Sequence, residues 1–318
     1  MAPKTGPRMP LKRSRGACPK AFASSRRKTR LSGKSEQAVH FELAIIRFWD
    51  HRDRWAFKEN RVQIMFQGKT ALVTGGSSGI GKVISLMLAA EGAHVEVVAS
   101  SDMSKAQAVI DEIVEKGGMG TPHVADVRKP SQVVELVSNI EGRRGKIDVL
   151  VTAAGIFLPT AIGEADVDVF DQMIDTNLKS TFYCINAVAP GMAANGGGKI
   201  VCISSVAAFV GVSGYSAYCA TKAGVMMLVR SLALELAPKG ININAVAPGN
   251  TATPINASIR QDPEYASYLA EMEKKTPSRV TFSDPADIAG LVLFLASDKA
   301  RAMHGSTVLM DEGLSAGI

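Results

Sequence analysis

The chain has 318 residues, 46% hydrophobic and 21% charged, enough for one large domain or two small ones and close to the averages of globular proteins. These proportions exclude collagen-like, coiled-coil and wholly disordered chains. The net charge of +6 is unevenly placed, with 16 Lys/Arg against 5 Asp/Glu in residues 1–64 and 20 against 25 in residues 65–318, so nucleic acid is not the expected partner of the larger part.

Residues 1–64 read as a disordered extension. Glu36 is the first acid, and before it come 11 Lys/Arg together with Pro3, Pro7, Pro10 and Pro19, a composition that cannot bury enough apolar surface to fold. The stretch from Phe41 to Val62, with Trp49 and Trp55, allows a short helix. Three readings stand for the extension: an organelle transit peptide, an arm for nucleic acid or a membrane surface, or no function, with translation starting at Met65. The last is favoured. No apolar stretch of about 7–15 residues follows the basic start, so a secretory signal is not expected.

From Lys69 onward short apolar runs alternate with helix-period stretches. Strands are expected at 71–74, 95–99, 120–125, 147–152, 199–204, 241–247 and 306–310. Helices are expected at 79–91, 104–116, 130–143, 167–193, 216–237 and 285–297. Near-continuous apolar strands interleaved with helices imply a parallel sheet covered on both faces. Residues 65–318 are therefore expected to form a single doubly wound α/β domain with a seven-stranded, Rossmann-like sheet, whose ligands bind at the carboxyl ends of the strands. The uncharged run 200–221 is long enough to span a bilayer, but its serines and Gly211 and Gly214 make it a strand, a loop and a helix start. Cys18, Cys184, Cys202 and Cys219 form no Cys-x-x-Cys pair and have no His at zinc spacing, so neither a metal nor a disulfide framework is expected, and a cytoplasmic location is.

The chemistry follows the strands. Strand one ends in Thr74-Gly75-Gly76-Ser77-Ser78-Gly79-Ile80-Gly81, where glycines permit a tight turn and a helix N-terminus can receive a pyrophosphate. The spacing differs from the usual Gly-x-Gly-x-x-Gly fingerprint. Further on, Ser205 ends a strand thirteen residues before Tyr218, within Tyr218-Cys219-Ala220-Thr221-Lys222. Tyr218 and Lys222 stand at i and i+4 on one helix face, which sets an ammonium beneath a phenol. A tyrosine working near neutral pH needs its pKa lowered by about 3 units, or roughly 4 kcal/mol. A unit charge at about 4 Å in an effective dielectric of about 20 supplies that much.

On these residues the sequence resembles the short-chain dehydrogenase/reductase family over residues 67–318. The resemblance implies that Tyr218 is the general acid/base, that Lys222, together with the positive nicotinamide ring of an oxidised cofactor, lowers its pKa and also holds the cofactor ribose, that Ser205 orients the substrate oxygen, and that Asn177 completes a proton relay. It also implies a cofactor site made by Gly75, Ser77, Ser78, Gly79, Ile80 and Gly81, by Ser100 and Ser101, by Asp126 and Val127 at the adenine, by Ala154 and Gly155, by Tyr218 and Lys222, and by Pro248, Gly249, Thr251 and Thr253 at the nicotinamide. Asn244 is expected to be structural. Where the family shows Asn-Asn-Ala-Gly after strand four, this chain has Thr152-Ala153-Ala154-Gly155 and lacks two amide side chains.

No acid stands at the end of strand two, where Ala99 or Ser100 falls, so NADP is favoured over NAD, with Asp102 close enough to keep NAD open. Residues 250–282 are expected to cover the substrate. Their polar side chains, Asn256, Arg260, Gln261, Asp262 and Glu264, suit a small polar alcohol or carbonyl compound, and Tyr265, Tyr268, Leu269 and Met272 fall at helical spacing as a packing stripe. The implied activity is hydride transfer between nicotinamide and a secondary alcohol or carbonyl group of a sugar, polyol or small ketone. The alternatives are a 3-oxoacyl-acyl-carrier-protein reductase and a non-catalytic nucleotide sensor or nucleic-acid-binding protein. A homotetramer, without a membrane partner, is expected by the same resemblance.

Overall fold

The computed structural model describes residues 65–317; the expected disordered extension and the short helix within Phe41 to Val62 lie outside the described residues. The apolar runs pair as one sheet of β1 (Thr70–Thr74), β2 (His94–Ala99), β3 (Met119–Val124), β4 (Val149–Thr152), β5 (Gly198–Ile203), β6 (Ile241–Pro248) and β7 (Thr307–Met310). All are parallel, in the order β3-β2-β1-β4-β5-β6-β7. Every residue of β1, β4 and β6 is buried, because both faces of the sheet are covered, and β1 and β4 accordingly read as near-continuous apolar runs.

One face packs Val73, Val95, Val97 and Val151 against α1 (Gly79–Ala90), α2 (Met103–Glu115) and a helix late in the chain, Pro285–Ala296. The other packs Leu72, Leu150, Ile200 and Ile243 against α3 (Pro130–Arg144) and the helices Ser180–Ala194 and Ser216–Leu236. The last of these is apolar enough by length and composition to cross a membrane, but it buries Ala217, Thr221, Lys222, Val225 and Val229 within the fold, as a core helix does.

One expected element is divided. The stretch expected as a single helix over 167–193 is α4 (Val167–Met173), a π-helical segment (Ile174–Lys179) and α5 (Ser180–Ala194). A π-helical turn re-aims the side chains beyond it and recurs at functional sites. Here it carries Asn177, which is fully buried. The remaining helices are α6 (Ser216–Leu236), α7 (Ala257–Gln261), α8 (Ala266–Lys275) and α9 (Pro285–Ala296).

Strand order reverses between β1 and β4, so a crevice opens at their carboxyl ends. Far from it, on β2, Glu96 is 0% exposed and is surrounded by His123 at 2.5 Å, His94 at 3.5 Å, Arg143 at 3.7 Å and Arg144 at 3.8 Å. The buried carboxylate is compensated by the charges of α3's C-terminal arginines and by a His123 hydrogen bond to Oε2, while Oε1 has no hydrogen-bond partner among the described residues. Burial first, and then the Arg144 charge, hold His94 below its ordinary value of 6.5. The unfolded chain therefore takes up this proton more readily than the folded one, and stability rises with pH across that interval. Thermal melts between about pH 8 and pH 5 are expected to show stability falling below about 6.5, with a shallower fall in His94→Gln; equal slopes in the two proteins would contradict this.

Candidate active site

The crevice begins at the turn after β1. Gly75 has φ +66°, and a Cβ there would lie 2.7 Å from the Ala154 nitrogen, so the β1 and β4 turns touch backbone to backbone. Gly81 presses closer still, its absent Cβ falling 2.3 Å from the Gly75 carbonyl oxygen. Ser78 caps α1 without a side-chain hydrogen bond to it, so the first N–H groups of α1 point outward uncapped. Gly79, also left-handed at φ +53°, faces Thr253 and Pro254, with Thr253 Cβ 3.6 Å from its virtual Cβ.

Across the crevice, β5 delivers Ser205. It caps a short 3-10 turn, Val206–Ala208, by accepting the Ala207 N–H at 3.1 Å. Its hydroxyl neighbours that of Tyr218 and favours the ionised phenol. Tyr218 and Lys222 stand on one face of α6, with the Lys222 ammonium 5.6 Å from the Tyr218 ring centroid. Lys222 is only 5% exposed and donates to the Ile203 carbonyl at 3.0 Å. Burial pushes its pKa down to about 8.

Burial pushes the Tyr218 hydroxyl above its ordinary value of 10, and the neighbouring Ser205 hydroxyl opposes that only in part. The lowering expected from sequence draws on Lys222 together with the positive ring of an oxidised nicotinamide.

Asn177, delivered by the π-helical segment, grips the backbone of the β4 turn. Its Oδ1 accepts the Ile156 N–H at 2.8 Å and its Nδ2 donates to the Ile156 carbonyl at 2.9 Å and to Thr221 Oγ1 at 3.3 Å. Gly155 lies just above: a Cβ there would be 3.4 Å from Asn177 Oδ1 and 3.6 Å from Lys222 Nζ. Below, Thr152 pairs in register with Cys202, and its buried hydroxyl finds no hydrogen-bond partner among the described residues.

The outlying positions are placed as follows. Ser100 and Ser101 are exposed just beyond β2, while Asp102 is committed to capping α2, accepting from Ser104 N at 2.9 Å and Ser104 Oγ at 2.6 Å. Asp126 stands after β3 beside buried Val127, its carboxylate held by Arg128 through Nε and Nη2, both at 2.9 Å. This fork–fork pair keeps the Asp126 carboxyl below its ordinary range. Sequence reading missed it, although an Asp-x-Arg spacing after a strand was there to be seen. Pro248 ends β6, Gly249 packs against Asp311, and Thr251 and Thr253 are buried at the base of the covering segment. Asn244 is structural as expected, donating to Met303 O at 2.8 Å and accepting from Ser306 N at 3.0 Å.

The covering segment departs from expectation in two ways. Asn256 and Arg260 are engaged within it, with Arg260 bonded to Asn256 Oδ1 at 2.9 Å and to Thr253 O at 3.1 Å. The expected packing stripe is packed only in part: Leu269 and Met272 are half-buried, while Tyr265 and Tyr268 are 39% and 52% exposed. Helical spacing identifies a face but not its partner.

These residues fit a dinucleotide. The uncapped start of α1 and the bare Gly75, Gly79 and Gly81 leave room for a phosphate against backbone N–H groups. The missing Cβ of Gly155 leaves space beside the Lys222 ammonium. Among the described residues no group of three or more His, Cys, Asp or Glu side chains is placed to hold a metal ion.

Comparison with known proteins agrees with this geometry. A family model described as enoyl-(acyl carrier protein) reductase matches residues 75–315. The 3-oxoacyl-[acyl-carrier-protein] reductase of Staphylococcus epidermidis is 39% identical over 246 residues, covering 77% of this chain and 98% of that protein. A short-chain type dehydrogenase/reductase from Mycobacterium marinum superposes with a TM-score of 0.74 at 35% identity, covering 80% of this chain and 98% of that one. A gluconate 5-dehydrogenase from Burkholderia cenocepacia, solved with NADP and tartrate, superposes with a TM-score of 0.75 at 30% identity over 80% and 98% of the two chains.

A methyl group at Gly81 must displace backbone rather than a flexible side chain. Gly81→Ala is therefore expected to destabilise the protein by about 1–3 kcal/mol, read from urea midpoints, whereas Gly142→Ala, which meets nothing within 4 Å, is expected to leave the midpoint unchanged or raise it; equal effects would contradict the packing of this turn.

Proposed function

The chain belongs to the short-chain dehydrogenase/reductase family of oxidoreductases acting on CH–OH groups, and from that membership we propose that it interconverts a secondary alcohol and a carbonyl compound, a sugar, polyol or small ketone, using NADP. The observation that carries the reading is the meeting of Ser205, Tyr218 and Lys222 at the carboxyl edge of β5, with Asn177 behind them. The nicotinamide, when bound, would supply the hydride chemistry, exchanging a hydride with the carbon of the alcohol or carbonyl group.

The protein's own part is binding, orientation and proton movement. Tyr218 gives its hydroxyl proton to the substrate oxygen in the reducing direction and takes one back in the oxidising direction. A phenol that burial keeps protonated suits the reducing role directly. For the reverse role the pKa must be brought down, and a ligand that draws the Lys222 charge toward the phenol would do so. Ser205, beside the Tyr218 hydroxyl, steadies the negative charge developing on the substrate oxygen. Lys222 binds ribose hydroxyls in the space left by Gly155, and Asn177 holds the β4 turn at its distance from Lys222 while completing the relay of protons outward.

The rest of the nucleotide lies along the crevice. Gly75, Ser77, Ser78, Gly79, Ile80 and Gly81 hold the pyrophosphate, Asp126 and Val127 the adenine, and Pro248, Gly249, Thr251 and Thr253 the nicotinamide end. NADP is preferred because Ser100 and Ser101 can donate to a 2′-phosphate while Asp102 is occupied as a helix cap. The NADP-bound gluconate 5-dehydrogenase points the same way. We read the exposed apolar residues Phe170, Phe182 and Leu234 on α4, α5 and α6 as contacts of a homotetramer, and the cell compartment as the cytoplasm.

A second reading, 3-oxoacyl-acyl-carrier-protein reduction, has the 39% identical relative in its favour. Gluconate, polyols and a 3-oxoacyl thioester assayed side by side separate the two. Under the first reading the polyols or sugar acids are turned over faster. Preference for the thioester would establish the second reading instead.

Tyr218→Phe is expected to lower kcat by about 100-fold to 10,000-fold while nucleotide affinity, followed by nicotinamide fluorescence, stays within about threefold and NADPH remains tighter than NADH. A Phe variant with wild-type kcat would overturn the assignment of Tyr218, and tighter NADH binding would overturn the cofactor preference.

A further inference from the structure

The loop after β4 is tied down at both ends. At its start Asn177 holds the N–H and C=O of Ile156 at 2.8 and 2.9 Å. At its end the Thr160 N–H donates to the Gly214 carbonyl at 2.6 Å, and Thr160 Oγ1 accepts the Ala217 N–H of α6 at 3.2 Å. Between these anchors stands Phe157. Its ring stacks on Tyr215, with centroids 4.1 Å apart and planes within 3°, and meets Tyr218 at 4.8 Å and 84°, edge to face. Both Phe157 and Tyr215 are half-buried.

These contacts supply what the polar site lacks. The Ser205 hydroxyl neighbours that of Tyr218, but one polar neighbour leaves the ring free to turn about its own axis and to swing on its Cα–Cβ bond. Lys222 lies 5.6 Å from the ring centroid, where a cation attracts the π-face without fixing the ring's rotation. An edge-to-face aromatic contact does depend on the relative planes. Phe157 cannot turn away, because Tyr215 stacks on it and the backbone on either side is anchored. We propose that Phe157, stacked on Tyr215, is a positioning residue that fixes the plane of the Tyr218 ring and hence the place of its hydroxyl.

The proposal rests on the reading of Tyr218 as the proton-transferring group, and it assigns a task to a residue that touches none of the reacting atoms. Displacing a reacting group by about an ångström costs up to about 100-fold in rate. The loss should fall on kcat and leave nucleotide binding alone, because Phe157 lies beside the phenol and away from the Gly75–Gly81 turn.

The test uses the full chain with ring-13C-labelled tyrosine. The sequence holds five tyrosines, and the Tyr218 resonance is identified by its loss in Tyr218→Phe. Phe157→Leu keeps apolar bulk and removes the ring; Phe157→Tyr keeps the ring. The Tyr218 resonance is expected to carry a ring-current shift in wild type and Phe157→Tyr that is lost in Phe157→Leu. In Phe157→Leu kcat is expected to fall about 10-fold to 100-fold with nucleotide Kd changed by less than about twofold, and Phe157→Tyr to recover most of it.

A Leu variant with wild-type kcat overturns the proposal, as does a Tyr variant as slow as the Leu variant, which would make the loss one of loop packing. Should Phe157→Leu fail to fold, Tyr215→Leu, which removes the platform from Phe157, is expected to produce the same two losses, and unchanged values there overturn the proposal equally. A wild type that binds no nucleotide and turns over no carbonyl or alcohol overturns the functional reading and the catalytic role of Phe157 with it. That outcome is distinct from an active wild type matched by its Leu variant.

Discussion

A lysine ammonium removed from water is the constraint around which the crevice is built. Lys222 is 5% exposed, and burying a charge is costly unless it is hydrogen-bonded or paired. Among the described residues it is given one backbone carbonyl, that of Ile203, and no carboxylate. The consequence is an ammonium held down to about 8, only weakly satisfied and open toward the bare Cα of Gly155. A side chain at residue 155 would fill the gap. A carboxylate there would neutralise the charge on which the proposed chemistry draws.

The fold meets this constraint with elements that are individually ordinary. The parallel sheet brings β1, β4 and β5 side by side, so the turns carrying Gly75, Gly155 and Ser205 share one edge. Helix α6 runs back along the sheet and offers Tyr218 and Lys222 one turn apart, while the Ser204 hydroxyl donates to the Lys222 carbonyl at 2.9 Å and ties that turn to β5. The π-helical segment brings Asn177 to the same place from the opposite side. Most of these contacts run to backbone groups, as with Asn177 on Ile156 and Lys222 on Ile203, so the polar side chains are held largely by rigid structure.

Much of this was legible in the sequence. The seven strands, the sheet's parallel character and the i,i+4 placement of Tyr218 and Lys222 follow from periods and spacing alone, because helix and sheet geometry are local rules. What escaped depends on tertiary contact. The π-helical turn at Asn177 leaves no mark in a pattern already read as helix. The sign of the Tyr218 shift turns on how much water the phenol loses, which spacing does not measure. The engagement of Asp126 by Arg128, and of Arg260 within the covering segment, decides which charges remain free. The exposed Tyr265 and Tyr268 show the converse case, where half of a regular apolar stripe stays in solvent while Leu269 and Met272 are half-buried.

The claim on which the account stands is that Lys222 is a desolvated ammonium. The direct measurement is a 13C NMR titration of ε-labelled lysines in the protein, with the Lys222 resonance identified by its loss in Lys222→Met. The account predicts one lysine titrating near 8, apart from surface lysines that titrate near their ordinary value of about 10.4. A Lys222 resonance that titrates together with the surface lysines would mean that water reaches the ammonium, and would contradict the account at its centre.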